Sequence, residues 1–242
     1  MKITTVLFDL DGTLLPMDQD AFIKNYFGGL ARKMAPHGYN SKTLIEAIWS
    51  GTEAMIMNTG EKMNEDVFWE VFNKILGQEI GKDTRYFDEF YANDFPKVRA
   101  SCGYNPKAAE SVLKIKAQGF RVALATNPFF PSTATEQRIS WTGLNANDFE
   151  IYTTYENSHF CKPNLDYYRE VMDKLGVRAE ECLMVGNDVG EDMIAEKLGM
   201  KVFLITDCLI NRKNEDISKY PHGSFDELDQ FIKTHLFKNA AE

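Results

Sequence analysis

Two carboxylates stand two positions apart near the start of the chain, in the run Val6-Leu7-Phe8-Asp9-Leu10-Asp11-Gly12-Thr13. In a regular strand both would point to one face, whereas a loop beginning at Asp11 would splay them around a ligand. Neighbouring carboxylates repel. The pair becomes tolerable when a divalent cation lies between the two, or when one is protonated and serves as an acid. Gly12 lets the backbone turn and Thr13 adds a hydroxyl. A calcium loop is the competing explanation, and its register fails: counting Asp9 as the first position puts Leu14 where glycine is needed and Asp20 where glutamate is needed. Alone, the run could still be a structural turn.

Three further clusters carry chemistry. Thr126-Asn127-Pro128 offers a hydroxyl and an amide, a combination that simple turn chemistry also explains. Lys162, in Cys161-Lys162-Pro163-Asn164, supplies a cation where several acids need a counter-charge and a transferring phosphoryl group would need one too. Gly186-Asn187-Asp188-Val189-Gly190-Glu191-Asp192 adds three acids, of which Glu191 reads as a solvated charge at a helix start. His37, His159 and Cys161 have no assignable role.

All these residues follow apolar runs that read as strands: residues 3–8, Arg121 to Ala125, Cys182 to Val185 and Lys201 to Ile205, with Ile151 to Thr154 a weaker candidate. Helical patterns lie between them, including Pro106 to Ala117, Leu165 to Leu175 before Gly176, and Met193 to Leu198 before Gly199. The alternation predicts an α/β fold with a mostly parallel sheet flanked by helices, whose ligands bind beyond the C-terminal strand ends.

Residues 16–100 break the alternation. Asp20 to Met34, Lys42 to Met57, Asn64 to Leu76 and Asp83 to Asp94 read as four helices, the third carrying Val67, Phe68, Val71, Phe72, Ile75 and Leu76 on one stripe. Prolines at both joints, near Leu15 to Asp18 and Pro96 to Pro106, mark this all-helical, four-helix-bundle-like unit as an insertion into a core formed by residues 1–15 and 101–242. Lys24, Arg32, Lys97 and Arg99 are the bundle's cations that a substrate anion could use, although most read as solvated face.

A formal charge of −9 excludes a surface built to neutralise nucleic-acid phosphates or anionic lipid. No apolar run approaches the roughly 18 residues of a membrane span. A cytoplasmic protein, a monomer by default, is expected. Four scattered cysteines form no paired metal or redox motif and read as reduced thiols.

Taken together, Asp9-Leu10-Asp11-Gly12-Thr13, the strand ending at Thr126, Lys162 before a helix, and Gly186-x-Asp188-x-x-x-Asp192 occur in the order of the four motifs of the haloacid dehalogenase superfamily. The chain resembles its phosphatase-type, phosphoglycolate phosphatase-like members, with a Rossmann-like core and a helical cap between the first two motifs. The resemblance implies a Mg²⁺-dependent phosphohydrolase acting on a small phosphorylated metabolite through an aspartyl phosphate. Asp9 would be the nucleophile and Asp11 the acid and base. Asp9, Asp188 and the backbone carbonyl of Asp11 would hold the metal. Thr126, Asn127 and Lys162 would bind phosphate, and Asp192 would support the site. A phosphomutase of the same superfamily and a catalytically silent metal-binding interaction protein are the alternative readings.

Overall fold

A computed structural model describes residues 2–77 and 84–236. Five strands form one parallel sheet in the order β2-β1-β3-β4-β5: β1 is Thr5–Phe8, β2 Arg121–Leu124, β3 Cys182–Gly186, β4 Lys201–Ile205 and β5 His222–Gly223. The first four coincide with the anticipated runs. β5 has only two residues, too few to leave an apolar pattern in the sequence. Ile151 to Thr154 contributes a single parallel bridge, Tyr152 to Leu124, because the chain turns into a short 3-10 helix at Tyr155.

The central strands are apolar throughout because both faces are covered, and successive side chains enter opposite cores. Val6, Phe8, Leu124, Val185 and Phe203 join one apolar cluster, while Leu7, Ala123, Met184 and Leu204 join the other. Helices α5 (Pro106–Ala117) and α8 (Phe225–His235) pack on the first face, and α7 (Leu165–Leu175) packs on the second. Met193–Leu198 winds as a 3-10 turn rather than an α-helix. At six residues it is short enough for that tighter winding, and Gly199 ends it in the left-handed conformation.

Between β1 and β2 lie α1 (Gln19–Met34), α2 (Ser41–Ile56), α3 (Asn64–Leu76) and α4 (Thr84–Asn93). The anticipated start of the fourth helix, Asp83, lies outside the described residues. Asp18 and Asn40 cap α1 and α2 by accepting backbone N–H groups of the first turn. In α3, Phe72 is fully buried, and Phe68, Trp69, Ile75 and Leu76 pack half-buried around it. The apolar interior of these helices is continuous with one face of the sheet. Phe95 makes the join, stacked on Trp141 of α6 (Ser132–Trp141) and edge-on to Phe22 of α1. Two connecting segments run side by side at the entry to the helices: Met17 bridges Cys102, and Gly103 N–H donates to the Pro16 carbonyl at 2.6 Å.

Strand register explains why distant motifs meet. Phe8 of β1 pairs with Leu124 of β2 on one side and Val185 of β3 on the other, so the residues just beyond each strand emerge together. With strands about 4.8 Å apart, Asp9, Thr126 and Asp188 are brought to one end of the sheet, where the strand order reverses direction around β1.

Candidate active site

Asp9 follows β1 directly, its N–H donating to the Val185 carbonyl at 2.9 Å. Both of its carboxylate oxygens are held: Oδ1 by Lys162 Nζ at 2.9 Å, and Oδ2 by the Thr13 hydroxyl at 3.0 Å. Thr13 also reaches Asn187 Oδ1 at 3.0 Å, tying the first motif to the loop after β3. Gly12 makes this closure possible. Its φ of +87° suits glycine, and a Cβ there would lie 2.3 Å from Asn187 Nδ2.

Lys162 is 1% exposed, which would be prohibitive for an unpaired charge. It is doubly paired, bonding Asp192 Oδ1 at 2.6 Å as well as Asp9. Burial by itself would lower its pKa, but the two carboxylates outweigh burial and hold the ammonium well above the ordinary lysine value. Asn164 starts α7 by capping its first turn, accepting from the Asp166 N–H. Asn127 clamps the lysine's backbone, its Oδ1 accepting from Lys162 N–H at 3.2 Å.

Asp188 and Asp192 belong to one compact loop after β3. Asp192 Oδ2 accepts the Asp188 N–H at 3.0 Å, and Asp188 Oδ1 accepts from the N–H groups of Gly190 at 2.7 Å and Glu191 at 3.0 Å. Gly186 is required by proximity, since a Cβ would lie 2.1 Å from Asp192 Oδ2. The other oxygen of Asp188 receives Arg212 Nη1 at 2.6 Å. Burial pushes the Asp192 carboxyl up, opposed by the charge of Lys162.

Asp11 is turned away from Asp9 by the loop, and its Oδ2 receives Nη1 of Arg138, a residue of α6 with 0% exposure. Arg138 is itself fixed by Thr135 and by Phe130, whose ring lies 4.4 Å beneath the guanidinium carbon. Burial raises the Asp11 carboxyl above its ordinary value and the nearby Asp9 adds to this, while Arg138 opposes both. Oδ1 of Asp11 is buried and, among the described residues, has no hydrogen-bond partner.

Asp9, Asp11, Thr126, Asn127, Asp188 and Asp192 all border one cavity of about 340 Å³ between the sheet's C-terminal end and helices α1 to α4. Lys162 is hydrogen-bonded to three of them, Asp9, Asn127 and Asp192. Every anticipated site residue is therefore in or directly against one site, and Lys162 reaches Asp9 by a hydrogen bond across 153 positions of sequence. Among the described residues, no group of three or more His, Cys, Asp or Glu side chains forms a ready metal cluster. Asp9 and Asp188 nevertheless offer hard carboxylate oxygens, the donors that magnesium takes with one or two protein ligands and its substrate's phosphate.

A profile of the haloacid dehalogenase-like hydrolases matches residues 3–198. The chain belongs to that family. The pyrophosphatase PpaX of Bacillus cereus strain AH820 is 24% identical over 236 residues, covering 96% of each chain. The phosphoglycolate phosphatase of Colwellia psychrerythraea is 24% identical over 237 residues, covering 94% of each. The hydrolase thus falls among phosphatase-type relatives. Its fold is shared more widely: the solved 2-haloacid dehalogenase of Pseudomonas syringae pv. Tomato DC3000 superposes with a TM-score of 0.64 at 18% identity, over 96% of this chain and 99% of that one.

Two residues of the hydrolase's site were not anticipated. Arg138 sits in a helix of weak amphipathic pattern and Arg212 in a loop, and nothing local distinguishes either from a solvated arginine. Glu191, expected as a solvated charge, instead borders the cavity, where its Oε2 accepts from Asn127 at 2.9 Å and burial raises its pKa. The bundle's cations turn elsewhere: Arg32 and Lys97 line a separate surface pocket, and Lys24 and Arg99 are exposed. His159 bonds Glu170 at 2.8 Å, and His37 stacks on Tyr86. Cys161 accepts from Asn64 and is buried, which pushes its thiol up; all four cysteines are free. Among the described residues no helix is long and apolar enough to cross a membrane.

Proposed function

We propose that this hydrolase is a magnesium-dependent phosphatase that cleaves a phosphate monoester through an aspartyl phosphate on Asp9. The observation that carries the reading is the fixing of Asp9 by Lys162 on one oxygen and Thr13 on the other, beside Asp11 with a raised pKa. An Asp9 oxygen attacks phosphorus as the bond to the leaving oxygen breaks, and the Asp11 proton passes to that oxygen. Asp11, now ionised, takes a proton from the water that attacks the phosphorus of the aspartyl phosphate. Phosphate leaves, and the Asp9 carboxylate is restored.

Lys162 and the Thr126 hydroxyl are assigned to the phosphoryl oxygens, with Asn127 holding Lys162 in register. Arg138 is a positioning residue: it holds one Asp11 oxygen and leaves the other unengaged. The donor set suits magnesium. Asp9, Asp188 and the Asp11 carbonyl would hold it, and Arg212 on Asp188 occupies a position where a cation is already favoured. Bound there, the ion would neutralise phosphate charge and align it for in-line attack.

The phosphatase names of the two relatives support this over dehalogenation, as does an acid at position 11, which a halide leaving group does not need. Residues 16–100 are proposed as a cap, hinged where Met17 meets Cys102, that excludes water from the first step. The negative charge favours a small phosphorylated substrate in the cytoplasm over nucleic acid. Phosphate release from a panel of phosphorylated metabolites, with magnesium and with chelator, tests the proposal. Full activity of Asp9→Asn would sink it.

A further inference from the structure

The cavity above Asp9 continues into helices α1 to α4, and its wall there is almost entirely apolar. Phe22, Phe27, Trp49, Phe68 and Trp69 come from the helices and Phe130 from the core. Polar groups are few in this wall: the Tyr26 and Tyr91 hydroxyls bond each other at 2.9 Å, Thr52 donates to the Ile48 carbonyl at 2.9 Å, and Gln19 at the start of α1 adds one amide. Among the described lining residues Arg212 is the one basic side chain, and Asp188 holds it. The remaining charges at the cavity are acidic, Asp11 and Glu191 among them.

Such a wall selects by what it lacks. A carboxylate or second phosphate on the leaving group would meet no free cation and several acids. A polyhydroxylated body would lose water and gain too few partners to replace it, leaving buried polar groups unpaired. An apolar body gains in proportion to the area it removes from water. At about 340 Å³ the cavity falls within the range of small-ligand pockets.

We propose that the preferred substrate is a phosphate monoester of an uncharged, largely apolar alcohol, with a body the size of a phenyl or hexyl group seated among the aromatic residues of α1 to α3. The inference rests on the phosphatase reading above. It assigns specificity to Phe27, Trp49 and Ile56, which no charged recognition of a small polar metabolite would employ.

The test is the specificity constant for ethyl, butyl, hexyl and 2-phenylethyl phosphate, beside phosphoglycolate and pyrophosphate. Along the alkyl series kcat/KM should rise about three- to fourfold per methylene, on the order of a hundredfold from ethyl to hexyl, with phosphoglycolate and pyrophosphate below hexyl phosphate. A flat series, or phosphoglycolate or pyrophosphate as the best substrate, overturns the inference and leaves the phosphatase standing. Release from no substrate, 2-phenylethyl phosphate included, overturns both. Ile56 and Trp49 are 41% and 49% exposed, so substitutions there should fold. Ile56→Arg should lower kcat/KM for hexyl phosphate at least tenfold while sparing phosphoglycolate, and Trp49→Ala should act in the same sense. Equal effects on both substrates contradict the assignment.

Discussion

Arg138 and Asp11, 127 positions apart, form an ion pair in which the guanidinium is fully buried and the carboxyl borders the cavity. A pair of this kind need not add net stability, but removing one member strands the other. Arg138→Met should therefore lower unfolding stability by about 3 to 5 kcal/mol. Asp11→Asn in the same background should recover part of that loss. Urea titration of the two single variants and the double variant gives the coupling, and strictly additive effects would rule out the pair as an energetic unit.

If Asp11 donates its proton to the leaving oxygen, the cost of Asp11→Asn depends on how much that oxygen needs one. With an alkyl phosphate kcat should fall by about 10² to 10⁴, the usual range for a lost general acid. With 4-nitrophenyl phosphate, whose leaving group departs as a stable anion, formation of the intermediate should suffer far less. Burst-phase kinetics separate that step from hydrolysis, and equal losses with both substrates would remove Asp11 from the acid's role.

Gly186 tests the packing behind Lys162. An added methyl would fall on Asp192, which is also the second partner of Lys162 and the acceptor for Asp188 N–H. Gly186→Ala should cost about 1 to 3 kcal/mol by overpacking and reduce activity with it. Thermal melts and phosphate release on the same preparations check whether the two losses travel together.

Glu170 gives a pH signature away from the site. Burial alone would raise its pKa, but hydrogen bonds from the His159 ring and backbone and from Lys174 hold it below the ordinary value. A depressed folded pKa contributes stability that is present above the unfolded value, about 4.3, and is lost as pH falls through the folded one. The wild type should consequently lose more stability than Glu170→Gln between neutral pH and that acid range. Parallel melting curves for the two proteins would expose the error.

Arg212 and a divalent cation would compete for Asp188 Oδ2. Arg212 is largely exposed, so Arg212→Ala should fold normally and bind magnesium more tightly. Calorimetric titration reads the affinity directly, and an unchanged or weaker affinity would show that the guanidinium does not occupy the metal's place.

The sequence by itself determined the parallel sheet, because strands buried on both faces must be continuously apolar, as Val6 to Phe8 and Cys182 to Val185 are. It also placed Asp9, Thr126, Lys162 and Asp188 at the ends of those elements, where motif order and local turn chemistry are legible one segment at a time. Tertiary structure alone decided which distant groups meet. That Arg138 reaches Asp11, that Arg212 reaches Asp188, and that Glu191 turns inward all depend on packing between segments whose local sequences carry no sign of it. The helices between β1 and β2 show the same division. They followed from apolar spacing, whereas which of their side chains border the cavity, Phe27 and Trp49 rather than Lys24 or Arg32, did not. Helical periodicity tells which face is buried, and only the fold tells whether that face meets a neighbouring helix or the space above Asp9.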